Sequence, residues 1–254
     1  MLIRTIKTPQ SWLASLISLW LLMLGSMPCL AAEWDITEFS VDKTLLENEE
    51  IQTFEKTFTH SEDEGETRGI MGVILVNAPY EVLWQVISDW EAQGDFVPGL
   101  EYFKVKHVFP NGSDNEWRSL VEGQLDIPFV SFRYTLDANF NKNEGTMLWS
   151  MLKPDDIQAY QAQKVDVRKS DEDRLKNIEG FGQIQSYNDI QTVYYYAPIV
   201  EVSIPIPGFV EDIISRISLS RYLEAIKEKA EELHRRARLE SPKRVADTND
   251  GSIE

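Results

Sequence analysis

The chain has 254 residues and a net charge of −17, with 25 Lys and Arg against 42 Asp and Glu. A surface this acidic repels phosphate groups, which disfavours nucleic-acid binding and docking on anionic lipid head groups. Hydrophobic residues make up 43% of the chain and aromatic residues 11%, enough for a substantial core and against disorder over most of the length. The length suits one or two domains, and one is favoured once the two ends are removed.

Residues 1–32 have the pattern of a secretory signal peptide. Arg4 and Lys7 precede an apolar run over residues 12–24, which is too short to span a bilayer. The small residues that suit a cleavage site follow at Ala31 and Ala32. The pattern therefore predicts an exported protein that is periplasmic or secreted, with no stable membrane insertion of the mature chain.

Cleavage near Ala31 or Ala32 would change both the charge and the redox chemistry. Loss of the two leader cations takes the net charge to about −19, and Cys29, the one cysteine, is lost as well. A mature chain without cysteine has no disulfide and depends on its core for stability. Two alternatives stay open: a lipoprotein anchored at Cys29, and an uncleaved membrane anchor.

The remaining chain divides by composition into an arm, a folded domain and a tail. Residues 33–65 are rich in carboxylates and contain the first strand of a hairpin, which we expect to pair with residues 68–76. Residues 66–238 carry regular apolar patterns and form the predicted domain. Residues 239–254 are polar and are predicted to be a disordered tail.

Within the domain, two short helices are predicted after the first strand, at 79–88 and 89–98. Val82, Leu83, Val86 and Ile87 give the first of them an apolar face. Turn residues then separate predicted antiparallel strands at 100–109, 117–125, 129–140, 146–152, 175–187 and 192–204. A polar excursion over 153–174 interrupts the strands, and a long amphipathic helix begins at Gly208.

The clearest alternation lies in the third of these strands, where every second residue is apolar. Its neighbours on the other face are polar, which is typical of an antiparallel sheet covered on one side only. The long C-terminal helix is the element available to cover the dry face. The apolar set is Val130, Phe132, Tyr134, Leu136, Ala138 and Phe140.

Residues 78–100 resemble the first helical segment of the START-like (SRPBCC) superfamily, in its polyketide-cyclase/coenzyme-Q-binding-like branch. The order of elements over residues 66–237 is similar too. The resemblance implies an α+β helix-grip fold, in which a curved antiparallel sheet wraps around the C-terminal helix and leaves an apolar tunnel. The matching positions are Ala78, Pro79, Val82, Trp84, Val86, Asp89, Phe96, Pro98 and Gly99.

Aromatic residues on the strands, with a lid from the last helix, are the predicted ligand contacts. Their alternative role is ordinary core filling. A slip of one residue in the last strand would exchange Tyr194 and Tyr196 for Val193 and Tyr195. The predicted set is Trp117, Phe132, Tyr134, Trp149, Tyr187, Tyr194 and Tyr196, with Phe209, Ile213 and Ile217 as the lid.

No catalytic residue, metal site or cofactor is predicted. His60, His107 and His234 are far apart in the order of elements and form no ligand motif. The carboxylate clusters at 62–64, 155–156 and 171–173 lack calcium-loop spacing and are interpreted as solvated charge.

The leading hypothesis is an exported, soluble, non-enzymatic protein that holds a lipid, quinone or similar hydrophobic molecule as a carrier or sensor. A second hypothesis is a cyclase- or aromatase-like enzyme, which needs Glu122, Arg133 or Asp137 to point into the cavity. A third is an acidic module that binds a basic protein partner.

Overall fold

The computed structural model describes residues 34–59, 66–127, 130–203 and 208–249, and these form eight strands, five α-helices and one 3₁₀ helix. The predicted signal peptide and the acidic turn 60–65, with His60, lie outside the described residues. The elements are the 3₁₀ helix Ile36–Glu38, α1 Lys43–Glu47, β1 Gln52–Thr59, β2 Glu66–Val76, α2 Tyr80–Ser88, α3 Trp90–Gln93, β3 Leu100–Ser113, β4 Glu116–Ile127, β5 Val130–Asn141, β6 Thr146–Met151, α4 Pro154–Ala162, β7 Leu175–Asn188, β8 Gln191–Val202 and α5 Gly208–Asn249.

All eight strands belong to one curved antiparallel sheet in the order β1-β2-β8-β7-β6-β5-β4-β3. β3 to β8 follow one another as hairpin neighbours, and β8 returns to pair with β2. Helices α2 and α3 carry the chain from β2 to β3 at the opposite edge. The predicted α+β architecture, with two short helices before the main run of strands and a long C-terminal helix, is confirmed.

The inner face of the sheet carries the largest apolar core, and α2, α3 and α5 pack against it. The predicted alternation in β5 is confirmed, because Phe132, Leu136 and Phe140 are all buried in this core. In β8 Tyr194 and Tyr196 face inward while Tyr195 faces outward, so the predicted phase holds and the one-residue slip does not occur.

The expectation that one side of the sheet stays uncovered is wrong, because the N-terminal arm covers part of the outer face. Trp34 and Leu46 are buried there against Met71, Val73 and Tyr195. The physical reason is that β2 and β8 carry apolar side chains on both faces, a pattern typical of strands buried on both sides.

A second part of the outer face is covered by α4 and the segment that follows it. Ile157 and Val167 are buried against Leu120 of β4. Arg118 donates to Asp137 Oδ1 at 2.6 Å and to the Tyr160 hydroxyl at 2.6 Å, and so ties the sheet to α4. The predicted excursion at 153–174 is therefore a cover for the sheet.

Helix α5 is longer than the sequence pattern predicts. Its buried stripe of Leu219, Leu223, Ile226 and Ala230 matches the predicted apolar face. The helix continues to Asn249, past residue 239, where the polar tail was predicted to begin. Residues 250–254 lie outside the described residues.

The arm is expected to contribute strongly to stability. Trp34→Ala removes a side chain that is only 5% exposed, and it should lower the free energy of unfolding by about 3 kcal/mol in urea titrations. Leu45→Ala is the control, because Leu45 lies on the same arm but is 38% exposed. Equal losses in the two variants would contradict the docked arm.

Candidate functional site

A cavity of about 660 Å³ lies between the inner face of the sheet and α5. Its walls come from β2, β3 to β8, α3, the loop after α3, and α5. Most of the lining is apolar or aromatic, which is typical of sites that bind small organic molecules. The apolar and aromatic lining residues are Ile70, Trp90, Val97, Pro98, Leu100, Phe103, Leu125, Tyr134, Leu136, Met147, Trp149, Ile178, Tyr196, Pro198, Val200, Val202, Leu219 and Tyr222.

Five aromatic rings form a continuous series along the cavity. Phe103 stacks on Trp90 with ring centres 5.0 Å apart, and Trp90 meets the edge of Trp149 at 5.8 Å. Trp149 then stacks on Tyr196 at 5.5 Å, and Tyr196 stacks on Tyr222 of α5 at 4.0 Å. We call this series the aromatic wall.

Glycines on the inner face make room for these rings. A Cβ added to Gly180 of β7 would collide with the Trp149 indole, which lies directly over this strand. A Cβ on Gly123 of β4 would lie 2.8 Å from Phe103 Cε1 and from Tyr134 Cζ. The strands thus leave space for rings that a side chain at either glycine would displace.

Hydroxyl groups at the α5 end of the aromatic wall contact one another. The Tyr194 and Tyr222 hydroxyls are 3.5 Å apart, and the Tyr222 hydroxyl donates to Gln93 Oε1 at 3.5 Å. Burial raises the pKa of Tyr194, Tyr196 and Tyr222 well above the usual 10.0. These groups are therefore uncharged at neutral pH.

Tyr134 differs from these tyrosines because its hydroxyl has no protein partner. The residue is only 3% exposed and lines the cavity, and burial raises the pKa of its hydroxyl. None of the residues that the structure describes forms a hydrogen bond with this hydroxyl. It is a buried donor that faces cavity space.

Charged lining residues lie together at one end of the cavity, where β2 and β7 begin and β8 ends. Glu201 accepts a hydrogen bond from Thr67 Oγ1 at 2.9 Å and lies 3.1 Å from Lys176 Nζ. Glu66 and Arg68 complete the group. We call these residues the charged end.

The structure brings three of the predicted contact residues, Tyr134, Trp149 and Tyr196, to the cavity lining. Trp117, Phe132 and Tyr194 belong to the surrounding core and not to the lining. The side chains of Phe209 and Ile213 lie outside the described residues. Direct ligand contact by any of these residues stays a prediction.

Two predicted contact residues lie away from the cavity and need correction. Tyr187 shares its side of β7 with Phe181 and packs on the outer face, where its hydroxyl donates to Glu47. Ile217 is 46% exposed. It precedes Leu219 by two residues, about 200° around the helix, so it points away from the buried stripe.

Sequence reasoning missed Trp90, Phe103, Gln93 and Tyr222 as lining residues. Tyr222 shares the helical spacing of Leu219 and the other buried residues of α5, so the periodicity was a usable signal for it. The other three lie on α3 and at the start of β3, and no local pattern marks them as neighbours of Trp149.

The ionisable residues that an enzymatic role would need point outward. Glu122 is buried on the outer face, where it accepts from the Tyr102 hydroxyl at 3.1 Å. Asp137 pairs with Arg118 beside α4, and Arg133 lies near Asp171. The cyclase hypothesis required one of Glu122, Arg133 and Asp137 inside the cavity, and none of them lines it.

Within the described residues, no group of three or more His, Cys, Asp or Glu side chains is arranged to hold a metal ion. No helix among those residues is both long enough and apolar enough to cross a membrane.

No protein-family model and no curated protein matches the sequence. Solved structures do resemble it. A START superfamily protein from Mycobacterium smegmatis has 16% identity and a TM-score of 0.49, over 65% of this chain and 98% of that one. The STAR-related lipid transfer protein from Xanthomonas axonopodis has 13% identity and a TM-score of 0.48, over 71% and 93%.

The Zhui aromatase/cyclase from Streptomyces sp. R1128 has 10% identity and a TM-score of 0.47, over 71% of this chain and 94% of that one. The chain is similar to START-superfamily proteins. This agrees with the resemblance carried by residues 78–100. Identities this low indicate nothing about the ligand or the chemistry of this START-like chain.

Gly180 is expected to be required for the position of Trp149. Gly180→Ala should lower the free energy of unfolding by about 1–3 kcal/mol and change tryptophan fluorescence, because the rigid indole must move. Gly182→Ala is the matched control on the same face of β7, where the neighbouring atom is the flexible tip of Met147. A larger loss for Gly182→Ala would contradict this packing.

The buried tyrosines predict a loss of stability at alkaline pH. Their pKa values are raised in the folded protein, so their contribution is fully present below pH 10.0 and is lost as the pH rises further. Phenolate absorbance should show these tyrosines ionising together with unfolding, in contrast to the urea-unfolded chain. Reversible ionisation of every tyrosine near pH 10.0 with the fold intact would contradict their burial.

Proposed function

We propose that this protein is a binding protein that holds a hydrophobic small molecule between its sheet and α5. The observation that supports the proposal is the cavity of about 660 Å³, whose lining is mainly apolar and aromatic. Sites for small organic molecules have volumes in this range, and they combine an apolar lining with a few polar groups. The Tyr134 hydroxyl and the charged end supply such polar groups here.

Burial of apolar surface is the driving force for this binding. A ligand that buries roughly 300 Å² gains roughly 7 kcal/mol, before the costs of ordering the ligand and the protein. The aromatic wall offers rigid surface whose conformation is set by packing, which keeps the ordering cost of the protein low. Affinity in the micromolar range or better is the expected result.

The proposed role is that of an exported carrier or sensor in the periplasm or outside the cell. The leader-like residues 1–32 support export, and the apolar cavity supports carriage of a molecule that dissolves poorly in water. Glu122, Arg133 and Asp137 all point outward, which favours carriage over a reaction within the cavity.

Native mass spectrometry and organic extraction of the purified protein test the proposal. A co-purified apolar molecule, or uptake of one from an added lipid extract, is the expected result. The intact mass also reports whether the exported chain begins after Ala31 or Ala32. A well-folded protein that arrives empty and takes up no apolar molecule would contradict the proposed function.

Val200→Trp is expected to block the cavity, because Val200 lines it from β8 and an indole would fill part of its volume. Uptake measured by native mass spectrometry should fall at least about 10-fold, since the ligand loses space and apolar contact. Val108→Trp is the control, because Val108 is 51% exposed and does not line the cavity. Equal uptake by both folded variants would place the ligand elsewhere.

A further inference from the structure

The shape of the aromatic wall favours a flat ligand over a flexible chain. Trp149 stacks on Tyr196 with an angle of 24° between the ring planes, and Tyr196 stacks on Tyr222 with 19°. Rings held nearly parallel by their neighbours offer a flat surface on which a planar molecule stacks. Gly180 keeps Trp149 in this position from behind.

The charges around the cavity favour an uncharged ligand. Among the lining residues that the structure describes, the charged ones are the four of the charged end, Glu66, Arg68, Lys176 and Glu201. The buried part of the cavity has only tyrosine and glutamine as polar side chains, and burial keeps its tyrosines neutral. A charged group placed there would lose its hydration without gaining a counter-ion.

The Tyr134 hydroxyl indicates an acceptor atom on the ligand. The residue is 3% exposed, and its hydroxyl forms no hydrogen bond with any group in the described part of the chain. A buried hydroxyl without a partner costs free energy, which an acceptor on the ligand would recover. The other buried hydroxyls of the cavity lie among Tyr194, Tyr222 and Gln93 and bind one another.

We propose that the ligand is an uncharged, planar ring molecule with a carbonyl or similar acceptor oxygen, which accepts a hydrogen bond from Tyr134 while its ring stacks on the aromatic wall. This inference rests on the proposed binding function and narrows its ligand class. It separates ring compounds with a carbonyl from simple acyl chains, both of which an apolar cavity would admit.

Three probes of similar size separate the parts of this proposal in equilibrium dialysis with the full chain. Menadione has a planar ring and carbonyl acceptors, methylnaphthalene has the ring without oxygen, and undecanone has a carbonyl on a flexible chain. Menadione is expected to bind about 3- to 10-fold more tightly than methylnaphthalene, the range that one neutral hydrogen bond supplies. Undecanone should bind more weakly than either ring compound, since it cannot stack.

Tyr134→Phe removes the hydroxyl and keeps the ring. It should lower menadione affinity by about 3- to 10-fold and leave methylnaphthalene affinity unchanged. Tyr195→Phe is the matched control, because Tyr195 is 8% exposed and packs on the outer face of the same sheet. This control should bind all three probes as the unchanged protein does.

The outcomes distinguish this inference from the proposed function. If undecanone binds as tightly as menadione, or if Tyr134→Phe leaves menadione affinity unchanged, the ligand class is wrong while the binding function stands. If the folded protein binds none of the three probes, and lipid uptake fails as well, the proposed function is wrong.

Discussion

The packing of α5 on β2 at Gly72 is the contact on which the rest of the structure depends. A Cβ at this position would collide with the Leu223 side chain and lie 3.2 Å from Leu219 Cγ. Because β2 presents bare backbone there, the helix lies close to the sheet beside β2 and α2. The inner surface from β8 to β4 is then left to aromatic side chains, which enclose the cavity and do not fill it.

The covers on the outer face support the same arrangement from behind. On β8, Tyr195 packs against the docked arm while Tyr196 lines the cavity, so one strand links the two layers. On β4, Leu120 packs beneath α4 while Leu125 lines the cavity. Strands that are packed on both sides resist movement, which keeps the aromatic wall in a fixed shape for its ligand.

The distribution of charge follows from strand alternation. On β5, Tyr134 points into the cavity, whereas Arg133 and Asp137 point to the outer face, where ion pairs and water solvate them. A protein with a net charge of −17 thereby keeps the buried part of its cavity neutral. The acidity describes the solvated exterior, and the chemistry of the cavity depends on tyrosine hydroxyls.

Local periodicity determined the order of elements, the inward series from Phe132 to Phe140 and the buried stripe of α5, because these patterns repeat within one strand or helix. It failed at Tyr187 and Ile217, which lie beyond the regular part of their patterns. The meeting of Trp90, Phe103, Trp149 and Tyr222 was decided only by the tertiary structure. These residues are far apart in the chain, and strand order, sheet curvature and the close approach of α5 bring them together.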